Sequence, residues 1–245
     1  MASLISSFRV LVIDGIIGVG KTSLIEECLV PLLTEANYKV TVVREPVDKW
    51  KANGSLKQFY KDPCRRGYQF QTRAFHDRIK ESQEQHKKYE HCTDIFILER
   101  SIFTDMLFMD MLYESKTIDE SEYRDYKDLW AMWGFLMPFY PDLFVYLRPD
   151  VEVAMERLHK RNREGETVDI EYQKALQIKH DDFLGGEKVL ISDSPDVPCL
   201  HLYTNSDFLN DIDVKRDIAY KILDKLYPTE KKVGFLLTHS HQMVS

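Results

Sequence analysis

The sequence predicts an α/β fold: a five-stranded parallel sheet with helices on both faces. Five apolar runs, 8–14, 39–44, 94–98, 143–147 and 197–202, read as buried strands. Longer helical patterns separate them, and strands alternating with helices pair in parallel through crossover connections. A glycine-rich loop joins the first run to the helix behind it, a common strand-to-helix connection in such sheets. At 245 residues and 44% hydrophobic content, the chain suits one large domain with a continuous core.

The elements follow in order. After the first strand and its glycine loop comes a helix containing Pro31, which costs about 3 kcal/mol inside a helix or forces a kink. A break is therefore expected near Leu29. Beyond the second strand, 54–61 and 66–89 read as helices, the second long and increasingly polar towards its end. Beyond the third, 119–137 reads as a helix that Pro138 and Pro141 stop before the fourth strand. The stretch 150–163 starts at Asp150, an N-cap residue type, and repeats apolar residues at Val151, Ala154, Met155 and Leu158. A helix over 171–184 follows, ended by Gly185 and Gly186. The last stretch has no clear period beyond 235–237, so a domain of 1–228 and a tail of 229–245 are expected.

The octapeptide Gly15-Ile16-Ile17-Gly18-Val19-Gly20-Lys21-Thr22 satisfies G-x-x-x-x-G-K-[ST] at the required place, after a strand and at a helix start. Its glycines let the backbone curl so that N–H groups point at phosphate oxygens, and the helix adds its positive end. Lys21 is expected to reach the β- and γ-phosphates of a triphosphate such as ATP. Thr22 is expected to ligate Mg²⁺, and Ser23 is counted with the glycine loop among the ATP-binding residues. GTPases, motor ATPases and small-molecule kinases share this pattern, so the second substrate has to be read elsewhere.

The rest of the composition narrows the class. A net charge of −7 without a dense basic tract argues against a partner that is polymeric nucleic acid. Cys28, Cys64, Cys92 and Cys199 lack metal-ligand spacing and read as four buried thiols of a reducing compartment. No run approaches the roughly 20 apolar residues of a bilayer span, so no membrane partner is expected and the protein should be soluble and cytoplasmic.

Candidate catalytic residues stand at strand ends, where ligands of parallel α/β sheets collect. A hydroxyl attacking a γ-phosphoryl group must give up a proton while charge on the transferring group is neutralised. Glu45, leaving a strand across from the glycine loop, is the candidate base. Glu99 and Arg100 end another strand, with Glu99 expected to bind Mg²⁺ through water and Arg100 to reach the attacking oxygen. Arg157, Arg161 and Arg163, four and two residues apart near a helix end, suit a lid over phosphates.

Glu45-Pro46-Val47-Asp48-Lys49-Trp50, Tyr60, Phe70-Gln71-Thr72, Glu99-Arg100-Ser101 and the Arg-rich lid of about 157–168, from Arg157 to Glu166, occur together in order. In this the chain resembles the deoxynucleoside kinase family over 9–226. Its lid departs from the family's R-x-R-x-E-E, with Gly165 where the first Glu is expected. The resemblance implies transfer of the ATP γ-phosphoryl group to the 5′-hydroxyl of a deoxynucleoside, with Glu45 as base. It implies that Ile17, Val47, Trp50, Leu56, Phe70 and Met109 pack around the nucleobase, and that Tyr60 and Glu166 hold the 3′-hydroxyl. Gln71 offers a donor and an acceptor in one plane, which suits a base edge. Phe59 and Phe75, aromatics at helical spacing, read as core.

Positions resembling Arg78 and Asp105, beside a small residue like Ala74, mark family members that prefer deoxycytidine and purine deoxynucleosides. A fixed charged pair leaves poor room for the methyl group of thymine and offers polar partners to other bases. Asp207 and Phe208, in the polar loop after the fifth strand, resemble the residues that contact the donor adenine. The resemblance also implies a homodimer and inhibition by an end-product triphosphate. Met106, Leu107, Met111, Trp130, Trp133 and Phe135 agree with a dimer, giving the helices between the third and fourth strands extra apolar surface. The competing readings are a thymidylate kinase, which usually shows a Gly-rich continuation where Val47 to Trp50 stand here, and a catalytically inactive structural homologue.

Overall fold

A computed structural model describes residues 8–163, 166–191 and 195–228. The tail of 229–245 and Gly165 of the lid lie outside the described residues. The parallel strands are β1 (Arg9–Asp14), β2 (Val40–Val43), β3 (Ile95–Glu99), β4 (Leu143–Leu147) and β6 (Val197–Leu202). A two-residue β5 (Lys188–Val189) pairs antiparallel with β6, so the order across the sheet is β2-β3-β1-β4-β6-β5. The sheet thus has six strands rather than five. The added edge pair is too short to leave an apolar run in the sequence.

Side-chain alternation along the strands divides the core into two layers. Val10, Val12, Phe96, Leu98, Phe144 and Tyr146 face one layer, built with α5 (Pro63–Tyr89), α6 (Ile102–Glu114) and α7 (Glu120–Trp133). Leu11, Ile13, Ile95, Ile97, Val145 and Leu147 face the other, packed by the helix behind the glycine loop and by α10 (Ile212–Leu226). Because β1 pairs with β3 on one side and β4 on the other, the chain switches direction across the sheet at β1. A crevice opens at such a switch point, beyond the carboxyl ends of the strands.

Pro31 does not break its helix. The helix runs as α1 (Lys21–Leu24), widens into a π turn at Ile25–Leu29 and continues as α2 (Val30–Glu35). The irregularity falls beside Leu29, and Pro31 sits in the first turn of α2, where a missing N–H is tolerated. The helices read at 54–61, 66–89, 119–137, 150–163 and 171–184 match to within a few residues, while α6 and α10 had no expected span. Asp62 caps α5 by accepting from the Arg65 N–H with Pro63 next in line, and Asp119 with Glu122 forms a capping box on α7. α7 stops at Trp133, and a 3₁₀ turn takes up Gly134–Leu136. α4 (Ser55–Lys61), α8 (Val151–Arg161) and α9 (Ile170–Leu184) complete the expected set. α3 (Val47–Ala52) is a short helix with no periodic signal of its own.

Two cysteines depart from expectation. Cys28 and Cys199 are buried, but Cys64 and Cys92 are exposed, one in the first turn of α5 and the other just past its end.

Two buried tyrosines differ in one respect. Tyr126 is wholly buried and its hydroxyl has no hydrogen-bond partner among the described residues, whereas the Tyr146 hydroxyl donates to Asp181 at 2.8 Å. Removing an unsatisfied buried hydroxyl relieves a desolvation cost, and removing a paired one loses about 1 kcal/mol. Denaturant titration of Tyr126→Phe should show equal or higher stability, and Tyr146→Phe a loss of about 1 kcal/mol.

Candidate active site

A cavity of about 670 Å³ lies across the carboxyl ends of the parallel strands. Each strand end sends one loop to it: the glycine loop after β1, Glu45 after β2, Glu99 and Arg100 at β3, α8 after β4, and Asn205 to Leu209 after β6.

The glycine loop is forced into place by contact. Gly15 has φ +142°, and a Cβ there would stand 2.5 Å from the Leu147 carbonyl oxygen. Gly18 has φ +87°, and its Cβ would meet the Ala154 carbonyl oxygen at 2.6 Å. Only glycine fits either position. Ile16 and Val19 anchor the loop in the core, and Ile17 is clamped by the α9 residue Gln173, whose amide accepts from its N–H and donates to its carbonyl. Lys21 donates to the carbonyls of Gly15 (3.0 Å) and Ile16 (2.8 Å). Burial, then the nearby Arg100, pushes its ammonium down to about 7. Thr22 Oγ1 donates to Glu99 Oε1 at 2.5 Å, and Ser23 lines the cavity beside it.

Next to this loop is a buried charge cluster. Asp14, fully buried, accepts from the Gly15 N–H (2.8 Å), Thr104 Oγ1 (2.6 Å) and Arg100 Nη1 (3.2 Å). Although burial opposes ionisation, Arg100 holds the Asp14 carboxyl well below the usual carboxylate range. His180 Nδ1 faces the Leu176 carbonyl at 2.8 Å and must donate to it, leaving Nε2 as acceptor for Arg100 Nη1 at 3.3 Å. Burial lowers the His180 pKa, so the ring stays neutral at neutral pH. Arg100 also donates to the Gly15 carbonyl, lies over the Phe108 ring at 4.7 Å, and holds φ +68°. Left-handed backbone at a non-glycine residue is costly and persists where its surroundings fix it.

Glu45 and the pair Arg78 and Asp105 form one unit. Arg78 reaches Asp105 through Nε (2.8 Å) and Nη2 (3.1 Å), donates through Nη1 to the Glu99 carbonyl, and donates through Nη2 to Glu45 Oε1 (3.1 Å). Arg100 Nε lies 3.6 Å from the same Glu45 oxygen. Burial pushes the Glu45 carboxyl up, but Arg100, Arg78 and Lys21 outweigh it and hold the group below its ordinary range, ionised at neutral pH. Asp105 and Glu45 in turn raise the Arg78 pKa against burial and keep it charged, while burial raises the Asp105 carboxyl.

Around this unit stand Ile17, Val47, Trp50, Leu56, Tyr60, Phe70, Gln71 and Ala74, all on the cavity wall as the sequence suggests. Phe59 stacks on Phe70 with centroids 4.8 Å apart and lines the cavity too, so it is not core alone. Phe75 is core, as expected. Met109 does not line the cavity: it is fully buried in the core, and its neighbour Phe108, three residues after Asp105 on α6, takes the wall position. In the lid, Glu166 pairs with Arg161 and Arg163. Burial and the nearby Glu166 raise the Tyr60 hydroxyl pKa.

Arg157 is committed to backbone. It donates to the carbonyls of Val19, Thr204 and Ser206 and lies 5.8 Å over the Phe208 ring, pinning the loop after β6 to the glycine loop. Asp207 accepts from the Leu209 N–H and the Asn210 amide, which shapes that loop.

The sequence reading missed Asp14, Gln173 and His180 behind the glycine loop, and Phe108 and Tyr172 on the wall. Asp14 was the findable one, an acid at the end of an apolar run directly before the glycines. Gln173 and His180 sit on a helix whose neighbours no local pattern reveals.

Comparison with known proteins places the chain in a family. The family model for deoxynucleoside kinases matches residues 11–227. A probable deoxycytidine kinase of fowlpox virus is 31% identical, covering 91% of this chain and 90% of its own. Deoxycytidine kinase 2 of Gallus gallus is 34% identical over 86% of this chain and 89% of its own, and a deoxyadenosine kinase of Dictyostelium discoideum is 32% identical over 70% and 65%. With the family model matching residues 11–227 and relatives above 30% identity over most of both chains, the chain belongs to the deoxynucleoside kinase family.

Proposed function

We propose that this kinase transfers the γ-phosphoryl group of Mg-ATP to the 5′-hydroxyl of deoxyadenosine, deoxyguanosine or deoxycytidine, with thymidine a poor substrate, as a step of nucleotide salvage. The observation that carries the reading is the Arg78 guanidinium, bound to Asp105 on one side and to Glu45 on the other within one cavity. A nucleoside with its base near Asp105 and its sugar near Glu45 would span this unit.

The roles follow from chemistry. Ionised Glu45 accepts the 5′-hydroxyl proton, and Arg100 beside it neutralises charge near the attacking oxygen. Lys21 and the glycine-loop N–H groups take the phosphates, with Arg161 and Arg163 closing over them and Arg157 holding the Asp207 to Phe208 loop for the donor base. Tyr60 and Glu166 hold the 3′-hydroxyl, and Gln71 reads the base edge. The hard oxygens of Thr22 and Glu99, 2.5 Å apart, fit Mg²⁺, which takes few protein ligands and leaves the rest to water and phosphate. Bound there, Mg²⁺ would neutralise phosphate charge. Arg78 and Asp105 are locked to each other and cannot swing aside for a methyl group, which disfavours thymine.

A homodimer is part of the proposal. Of the six residues cited above for extra apolar surface, Leu107 and Met111 are buried and Met106 and Trp130 pack on the core. Trp133 and Phe135 remain exposed, and with exposed Met132, Leu136 and Tyr140 they give an apolar face suited to a second copy.

Glu45→Gln keeps an oxygen for Arg78 but removes the base. Steady-state assays should show kcat reduced roughly 10²–10⁴-fold with triphosphate affinity preserved, and a loss under about threefold would contradict the assigned role. Lys21 supplies a second test. Its pKa of about 7 in the free protein must rise when polyphosphate binds, so binding takes up protons above pH 7 and weakens as pH rises. Calorimetry at pH 8 in buffers of different ionisation enthalpy should record net proton uptake, which Lys21→Met should abolish.

A further inference from the structure

Asp77 lies next to Arg78 on α5 but points away from the cavity, about a 100° turn round the helix. It is 2% exposed. Its Oδ2 accepts from the Trp50 indole N–H (3.0 Å) and from Arg73 Nε (3.2 Å), and its Oδ1 accepts from Lys49 Nζ (2.6 Å). Burial pushes the carboxyl up, but Lys49 and Trp50 outweigh this and hold it below the ordinary range.

A buried indole N–H needs an acceptor, and a neutral one would suffice. A carboxylate there costs desolvation and is retained here with two cations, both about half exposed, around it. The effect is mechanical. α3 is six residues long, starts after Pro46 and ends at Asn53, too short to hold its shape alone. Its two side-chain hydrogen bonds to α5 both end on Asp77. α3 carries Val47 and Trp50 to the cavity wall, where Trp50 meets Phe70 edge-on with centroids 5.4 Å apart.

We propose that Asp77 is a positioning residue for nucleoside recognition: by holding the Trp50 indole it fixes the aromatic wall of the base slot and sets nucleoside affinity, while leaving phosphoryl transfer unaffected. This rests on the reading above, in which Trp50 faces the nucleobase. Asp77 touches no reactant and acts through Trp50.

A double-mutant cycle tests it. KM for deoxycytidine or deoxyadenosine, whichever turns over faster, and kcat would be measured for Asp77→Ala, Trp50→Phe and the double variant. Trp50→Phe keeps an aromatic wall without the N–H. Asp77→Ala should raise KM about tenfold with kcat changed less than about threefold, and in the Trp50→Phe background it should add almost nothing. Asp77→Asn, which keeps an acceptor for the indole, should restore most of the affinity; if the alanine variant folds poorly, Asp77→Leu, close to Asn in size but without an acceptor, takes its place in the cycle. KM changes that multiply in the double variant, or an Asp77→Asn no better than Asp77→Ala, would overturn the proposal. Trp50→Ala separates the two readings. If it leaves KM unchanged, the base-slot assignment itself fails; if it raises KM while the cycle is additive, only the role of Asp77 fails.

Discussion

Charges that cannot reach water have to neutralise one another, and this constraint shapes the working end of the sheet. Lys21, Arg78 and Arg100 are buried together with Asp14, Glu99 and Asp105, and part-buried Glu45 joins them. Isolated, any one of these would cost several kcal/mol or lose its charge. Paired, they fix each other's position, because a guanidinium with two carboxylate partners has little freedom left. Arg78 is the joint of the set: it binds Asp105 on one side and Glu45 on the other within one cavity. In the function proposed above, base choice and proton acceptance would therefore be held by one side chain.

The fold supplies the geometry that such a cluster needs. Parallel pairing puts every strand's carboxyl end on the same edge, and the switch at β1 opens the crevice there. Residues far apart in sequence meet because they end neighbouring strands: Asp14 ends β1, and Glu99 and Arg100 end the adjacent β3. The left-handed backbone of Arg100 turns its guanidinium back over the glycine loop, where Asp14, the Gly15 carbonyl and His180 receive it.

Much of this was legible in the sequence where the signal is local. The five parallel strands, the long α5, and the glycine loop follow from apolar runs, caps and a motif with strict spacing. The short antiparallel β5 was not legible, since two residues carry no periodicity. Pro31 signalled an irregularity at the right place, but its form, a π turn in place of a break, depends on packing against both neighbours. Within the site, Glu45, Glu99 and Arg100 face the cavity from strand ends, as their positions suggest, whereas the expectation for Val47, Trp50 and Tyr60 came from resemblance. Met109 and Phe108 show the limit: adjacent helical positions differ by about 100° in direction, and only packing decides which one faces the cavity. Cys64 and Cys92 make the same point at the surface. Gln173, His180 and Asp77 act through partners that sequence spacing does not display.

The central claim is that Arg78 and Asp105 bind as a rigid charged pair that excludes thymine while holding Glu45 in place. The most direct measurement compares kcat/KM for thymidine and deoxycytidine in the unaltered enzyme and in a variant with both Arg78 and Asp105 replaced by apolar residues. The account predicts that the thymidine-to-deoxycytidine ratio rises at least about tenfold, even as total activity falls because Glu45 has lost a partner. An unchanged ratio would place the choice of base elsewhere in the slot and contradict the account.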